Sequence, residues 1–188
     1  MDYPAEPEQP PARKSPSFFR EAVETILIAV VIFLLLQIVV RNFRIIGDSM
    51  LPNFHNGEMI LVDRVTYRFS EPKRGDVVVF HYPRAPQEDF IKRVIGLPGE
   101  TVEISNGVVT INQDPLPEPY VDGQATLFYR PVKVTLSPDE YFVMGDNRNY
   151  SSDSRTWGPL PREHIVGRAL VCYWPPSCWA VFSAPEYP

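Results

Sequence analysis

The sequence predicts a mostly β fold that follows one apolar helical segment. Proline accounts for 21 of the 188 residues, which disfavours a helical bundle and favours short strands, turns and extended ends. Short runs rich in Val, Ile, Phe and Tyr recur between turn residues from Phe43 to Pro188. Because no run in this part keeps a helical periodicity, residues 43–188 are predicted to form one β-rich domain.

The first part of the chain is predicted to be a tail and a membrane anchor. Residues 1–17 carry prolines among charged and small residues, a composition typical of disorder. Residues 18–42 are predicted to span a membrane, because about 20 apolar residues cross the ~30 Å hydrocarbon core of a bilayer. The polar residues between Ala22 and Val40 are Glu24, Thr25 and Gln37. Positive charges flank both ends of this span, so charge alone leaves its orientation open.

Four short runs are predicted strands, and one pair of further runs is a predicted hairpin. The four runs are Gly57–Val62, Asp76–Tyr82, Phe90–Ile95 and Tyr141–Met144. In the hairpin, Thr101–Ser105 and Val108–Ile111 flank the dipeptide Asn106-Gly107. Both residues of this dipeptide accept the positive φ of a type I′ turn, so the register of the hairpin follows from the sequence.

Charge and residue content exclude several classes of function. The formal net charge of −5 argues against nucleic-acid binding, which needs a basic surface. Two cysteines are too few for a disulfide scaffold or a four-cysteine zinc site. The three histidines form no HExxH pair, and residues 146–149 lack the glycine of a calcium loop. We therefore expect no metal, cofactor or nucleic acid, while a histidine triad assembled by the fold stays open.

Ser49 and Lys92 are candidates for a nucleophile and its base. Ser49 follows a short apolar run and precedes a proline turn, where a serine is usually only a turn residue. Strand alternation places Lys92 on one face with Phe90 and Val94. Burial there would lower its pKa and leave a neutral amine able to activate a hydroxyl. The alternative, which the residues alone favour, is an ammonium held in water above an apolar stem.

A polar loop after the Tyr141–Met144 run is the third candidate stretch. Residues 145–158 are rich in small polar side chains, which ordinarily form a surface loop. Asp153 and Arg155 could form a solvated ion pair of little energetic value. The loop could instead supply a hydroxyl that orients the Lys92 amine.

Four motifs in one order make the sequence resemble the bacterial type I signal peptidases. They are Ser49–Pro52, Arg74–Phe80, Ile91–Glu100, and a fourth motif made of Gly145–Arg148, Ser151, Asp153–Arg155 and Trp157–Gly158. The resemblance implies a signal-peptidase-like β catalytic domain and a serine endopeptidase that removes signal peptides from exported preproteins. It also implies a single-pass cell-membrane protein with a cytoplasmic N-terminus, an extracytoplasmic catalytic domain and membrane lipid around its anchor.

The resemblance assigns roles to individual residues. Ser49 would be the nucleophile and Lys92 the general base, while Ser151 would hydrogen-bond the amine and Asp153 and Arg155 would brace the loop. Bulky walls would form two shallow pockets for small side chains, as at Ala-x-Ala sites. Those walls are Phe43, Ile45, Met50, Phe54, Phe90 and Ile91.

Gly47 is the main departure from the family pattern. Many members carry a serine there, whose hydroxyl helps to hold the oxyanion, so this chain would rely on backbone N–H groups such as that of Ser49. Glycine permits an unusual φ and a close backbone approach. Cys172 and Cys178 could pair outside the cytoplasm, although their spacing alone does not establish it.

Two other functions are compatible with parts of the sequence. A self-cleaving repressor-type protease could use the same Ser/Lys pair, but it would be soluble and carry a DNA-binding module. A non-enzymatic, membrane-tethered β module would not need Ser49 or Lys92 at all.

Overall fold

The computed structural model describes residues 18–121, 131–185 and 187. The predicted disordered tail, residues 1–17, lies outside the described residues. The chain divides after Gln37 into two units, and each is described by itself.

The first unit contains most of one helix, α1, Phe18–Val39. Apolar side chains along it are exposed, for example Phe18, Leu27 and Phe33. Within the described part of the chain, no helix combines the length and the apolar character needed to cross a membrane. The predicted membrane span is therefore not confirmed, and the predicted helix end at residue 42 is wrong because residues 40–44 pair with a neighbouring strand.

The second unit is mostly β, as predicted. It contains one short helix, α2, Ser154–Trp157. Its strands are β1 Val40–Arg44, β2 Met59–Asp63, β3 Val77–Tyr82, β4 Ala85–Gly96, β5 Thr101–Ser105, β6 Val108–Ile111, β7 Asp114–Pro115, β8 Val132–Thr135, β9 Glu140–Met144, β10 Leu160–Pro161, β11 Ile165–Trp174 and β12 Ala180–Val181.

The larger sheet is antiparallel and has the order β1-β2-β11-β3-β4-β9-β10, with β12 paired to β11. The strand β11 comes late in the chain, yet it lies between β2 and β3 and pairs with both of them. The strand β4 lies between β3 and β9, with Arg93 opposite Met144. This pairing brings the middle of β4 next to the loop that follows β9.

The smaller sheet has the order β7-β6-β5-β8 and contains the predicted hairpin. Asn106 and Gly107 have φ values of 51° and 80°, as a type I′ turn requires. Apolar side chains of β5 and β6 face a buried cluster that includes Val102, Ile104 and Val109.

A disulfide joins β11 to the 3₁₀ turn that follows it. Cys172 and Cys178 are bonded, with their Cα atoms 5.8 Å apart. The pairing that spacing alone left open is therefore present. Neither sulfur is available as a thiol in this state.

Candidate active site

The loop after β1 presents Ser49. The Ile45 N–H donates to the Glu58 carbonyl at 2.8 Å, and the Gly57 N–H donates to the Ile45 carbonyl at 2.9 Å. These bonds extend the β1–β2 pairing and close the loop at its base. Ser49 is half-buried within this closed loop.

Lys92 reaches Ser49 from the middle of β4. Its Nζ donates to Ser49 Oγ at 2.8 Å and to the Ile91 carbonyl at 2.8 Å. The side chain is only 4% exposed. The alternative of a solvated ammonium is therefore wrong, and the buried amine is in hydrogen-bond contact with the candidate nucleophile.

Burial decides the protonation of Lys92. Loss of solvent lowers the pKa of its amine to about 8, because burial penalises the charged form. The Asp153 and Asp146 carboxylates oppose this shift, and the Arg155 guanidinium adds to it. A lysine with a pKa of about 8 is neutral in about half of the molecules at that pH, and in more of them at higher pH.

Asp153 and Arg155 form a buried ion pair beneath the loop after β9. The Arg155 Nε and Nη2 atoms donate to the two Asp153 carboxylate oxygens at 2.8 and 2.7 Å. The same carboxylate accepts from the Gly145 N–H at 3.0 Å and caps the N-terminus of α2. The solvated surface pair considered from the sequence is therefore wrong, because both side chains are buried and bonded to each other.

Gly145 allows the loop after β9 to lie close to the loop that carries Ser49. A Cβ at this position would overlap two groups, namely the Ser49 carbonyl oxygen and the Ser151 hydroxyl. Asn147 adds two hydrogen bonds, from its N–H to the Ser49 carbonyl at 3.1 Å and from its Nδ2 to the Asp48 carbonyl at 3.0 Å. Sequence reasoning placed both Gly145 and Asn147 in a motif but gave neither of them this role.

A second buried ion pair involves Arg93, the residue that follows Lys92 in the chain. Arg93 Nε and Nη2 donate to the Asp146 carboxylate at 2.8 and 2.6 Å, and Arg93 Nη1 donates to the Gly75 carbonyl at 2.9 Å. Asn53 Nδ2 also donates to Asp146 at 2.9 Å. This network ties β4 to the loop after β9, and the sequence analysis missed it. The sequence did contain one signal for this network. Strand alternation places Arg93 on the opposite face of β4 from Lys92, where it needs a partner of its own.

Ser151 does not make the hydrogen bond that the resemblance implied. Its Oγ is buried and has no hydrogen-bond partner among the described residues. The Lys92 amine instead donates to Ser49 and to the Ile91 carbonyl, while the Ser151 hydroxyl lies against Gly145. The expectation of a Ser151–Lys92 bond is corrected accordingly.

A groove of about 570 Å³ opens beside Ser49 and Lys92. Four of the predicted wall residues line it: Phe43, Ile45, Phe90 and Ile91. Further lining residues that the sequence did not single out are Arg44, Ile46, Ile60, Val79, Glu88, Asp89 and Ser152. Apolar side chains therefore form part of the groove wall next to Ser49 and Lys92.

Met50 and Phe54 do not line the groove, contrary to the prediction. Each is 1% exposed and packs in the core cluster with residues of β2 and β3. Phe54 also lies 4.3 Å, centroid to centroid, from the ring of Phe182. Their side chains turn into the core because the loop folds back over it, so they cannot form walls of the groove.

Gly47 has the unusual backbone that its identity allowed. Its φ is +92°, and a Cβ there would meet no atom of the described residues within 4 Å. The Gly47 N–H donates to Asn56 Oδ1 at 3.0 Å. The Ser49 N–H, by contrast, donates to no group among the described residues. The Ser49 N–H is therefore a backbone donor that is available to a ligand beside this residue.

The histidines do not take part in this arrangement. His81 pairs with Asp89 at 2.8 Å, and His55 pairs with Glu58 at 3.2 Å. His164 contacts the His81 carbonyl at 3.0 Å. Within the described residues Ser49 Oγ is bonded to Lys92, so the arrangement can perform serine nucleophilic chemistry with an amine as the base.

Comparisons with known proteins identify similar chains. A family model described as signal peptidase, peptidase S26, matches residues 19–174. The signal peptidase I of Leptolyngbya laminosa is 42% identical over 183 residues, covering 90% of this chain and 89% of that protein. The probable signal peptidase I-1 of Synechocystis sp. is 43% identical over 170 residues, covering 86% of each. A crystal structure of a signal peptidase I from Enterococcus faecalis V583 matches with 31% identity and a TM-score of 0.46, covering 53% of this chain and 97% of that one.

Proposed function

Because this chain belongs to the peptidase S26 family of signal peptidases, it is a serine peptidase, and we propose that Ser49 and Lys92 form its catalytic dyad. Membership favours an enzyme over a non-enzymatic β module, and the matched family is that of signal peptidases. The observation that carries the proposal is the 2.8 Å hydrogen bond from the buried Lys92 amine to Ser49 Oγ. The substrates we propose are the signal peptides of exported preproteins.

The proposed reaction begins when neutral Lys92 accepts the hydroxyl proton of Ser49. The Ser49 oxygen attacks the scissile carbonyl, and the Ser49 N–H stabilises the oxyanion that forms. Lys92 then gives its proton to the leaving amine, which releases the mature protein and leaves an acyl-enzyme. Water, deprotonated by Lys92, hydrolyses this ester and restores the serine. The pathway uses neither a metal nor a cofactor.

The residues around the dyad are proposed to position it. Asp153 and Arg155 hold the loop that carries Gly145, and Gly145 contacts the carbonyl of Ser49. Ser151 is proposed as a positioning residue within the same loop. None of these three side chains needs to touch the substrate for the loop to fix the direction of the Ser49 hydroxyl.

Cleavage is proposed to follow small residues, as at Ala-x-Ala sites. The groove beside the dyad is lined by Phe43, Ile45, Phe90 and Ile91, and bulky walls leave room for small side chains. We further propose that α1, Phe18–Val39, attaches the protein to the cell membrane in a single pass, with a cytoplasmic N-terminus and an extracytoplasmic peptidase domain. The exposed apolar side chains of α1 support attachment to lipid.

Cleavage of defined peptides tests the function and its specificity together. The purified full chain in detergent is incubated with a preprotein that carries an Ala-x-Ala site, and mass spectrometry locates the cut. We expect one cut after the second alanine, and none with Ser49→Ala. Replacing either alanine by Phe should abolish the cut. Efficient cleavage after Phe would contradict the assignment of the walls, and absence of any cut would contradict the function.

A further inference from the structure

A second cavity, of about 290 Å³, shares none of its described lining residues with the groove beside Ser49 and Lys92. Four arginines line it, namely Arg41, Arg64, Arg68 and Arg162. Glu163 is the acidic residue among the described lining residues. We refer to this cavity as the arginine pocket.

The arginines reach the pocket from four separate places in the fold. Arg41 lies on β1, and Arg64 directly follows β2. Arg68 ends the 3₁₀ turn between β2 and β3, and Arg162 begins the turn before β11. A chain of net charge −5 therefore gathers cations from distant segments into one cavity, which the overall composition does not require.

Three of these arginines lack a carboxylate partner within the described residues: Arg41, Arg64 and Arg68. The fourth, Arg162, pairs with Glu71 at 3.0 Å. Like charges that line one cavity repel each other, and a bound anion would relieve that repulsion. Guanidinium groups also match phosphate oxygens two at a time, which makes phosphate the anion that this lining suits best.

We propose that the arginine pocket binds a phosphate group, and that the phosphate belongs to an anionic lipid headgroup. Arg41 is two residues beyond Val39, the last residue of α1. Its Cα therefore lies within about 8 Å of the end of that helix. If α1 is attached to a membrane, lipid phosphates lie close to its end and therefore close to Arg41. The choice of a lipid as the source of the phosphate thus rests on the proposed membrane attachment, whereas the proposal of an anion site does not depend on it.

Calorimetric titration of the full chain in a nonionic detergent tests this site. The ligands are dihexanoyl phosphatidylglycerol, dihexanoyl phosphatidylcholine and inorganic phosphate. The test variant combines Arg64→Gln and Arg68→Gln, because both side chains are exposed and their loss leaves the core intact. The control combines Lys73→Gln and Lys133→Gln, which removes the same charge from exposed positions outside the pocket.

We expect phosphatidylglycerol to bind more tightly than phosphatidylcholine. Each arginine near an anionic lipid contributes roughly a fivefold gain in affinity, so the test variant should bind about 25-fold more weakly. The control should stay within about twofold of the wild type. Equal binding of inorganic phosphate would overturn the lipid source, and equal losses in the test and control variants would overturn the pocket. Since the titration needs no cleavage, an inactive chain that still binds phosphatidylglycerol would overturn the peptidase function alone.

Discussion

The Lys92 amine donates to the hydroxyl of Ser49 across 2.8 Å, although the two residues are 43 positions apart in the chain. The bond joins the middle of β4 to the loop after β1. The Arg93–Asp146 pair anchors β4 beside it, and Gly145 anchors the Ser49 loop from the other side. Both partners of the bond are therefore held by buried contacts, which is the preorganisation that a nucleophile and its base require.

Removal of either member of the proposed dyad should abolish cleavage. Ser49→Ala and Lys92→Met should each lower kcat by at least about 10²-fold, because positioned proton transfer contributes 10²–10⁴-fold. The double variant should be hardly slower than either single one, since the two groups act as a unit. Steady-state kinetics on a preprotein measure this. Lys73→Met, at an exposed lysine outside the groove, is the control and should keep full activity. More than about a tenth of wild-type activity in Lys92→Met would remove lysine as the base.

The pH profile of cleavage should follow the titration of Lys92. Burial lowers the pKa of this amine to about 8. In the proposed mechanism the neutral amine is the base. The value of kcat/KM should therefore rise about tenfold per pH unit below pH 8 and level off above it. Initial rates between about pH 6 and 9.5, at substrate concentrations well below KM, measure the profile. A rate independent of pH over this range would contradict a neutral lysine base.

The same pKa shift should appear in the stability of the protein. An unfolded lysine titrates near 10.5, so the folded state binds fewer protons than the unfolded state between about pH 8 and 10.5. The penalty for burying the charge is fully present below pH 8 and disappears as the pH rises through this window. Relative to Lys92→Met, the wild type should gain roughly 2–3 kcal/mol of unfolding free energy between pH 7 and 10. Urea unfolding at the two pH values, with both proteins, gives this difference. An unchanged difference would show that the amine is not desolvated.

Local signals made part of this fold predictable. The hairpin of β5 and β6 has the predicted strand ends, because an Asn-Gly turn fixes its register within a few residues. In contrast, β11 was missed although it joins β2 to β3, since Gly167 and Arg168 interrupt the apolar run that marks a strand. The pairing of residues 40–42 in β1 was missed for a related reason. Those residues continue the apolar segment, and only their partner strand ends the helix at Val39.

The candidate site residues could be found from the sequence, but the packing around them could not. The motifs identified Ser49 and Lys92, while the residues alone favoured a solvated lysine. Both faces of β4 are buried at Lys92 and Arg93, at 4% and 6% exposure, and alternation along one strand cannot reveal that. The wrong prediction that Phe54 lines the groove has a similar cause. An apolar residue near Ser49 can face either the groove or the core. Only the fold of the loop decides between them.

Gly145→Ala should disrupt the site by displacing the backbone of Ser49. The added Cβ would overlap the Ser49 carbonyl and the Ser151 hydroxyl, so one of the two loops must move. We expect kcat to fall by about 10²-fold, since small displacements of reacting groups carry such losses. Combining it with Ser151→Ala removes the overlap with the hydroxyl but leaves those with the Ser151 Cβ and the Ser49 carbonyl, so it should restore little. Kinetics on the single and double variants measure the effect. Full recovery in the double variant would show that the Ser49 carbonyl does not limit the space.

Gly47 should respond to substitution through its backbone rather than through size. Its φ of +92° disfavours any side chain, while a Cβ there would meet no atom of the described part of the chain within 4 Å. Gly47→Ala and Gly47→Val should therefore lose similar amounts of kcat, because a left-handed backbone costs each about 1–2 kcal/mol and turns the Ser49 N–H away from the oxyanion. Gly47→Ser should lose less than Gly47→Ala if its hydroxyl reaches the oxyanion, where one donor is worth about 10²-fold. Parallel kinetics on the three variants compare them. A much larger loss of kcat for Gly47→Val than for Gly47→Ala would contradict this expectation. It would show that a side chain at position 47 collides with bound substrate.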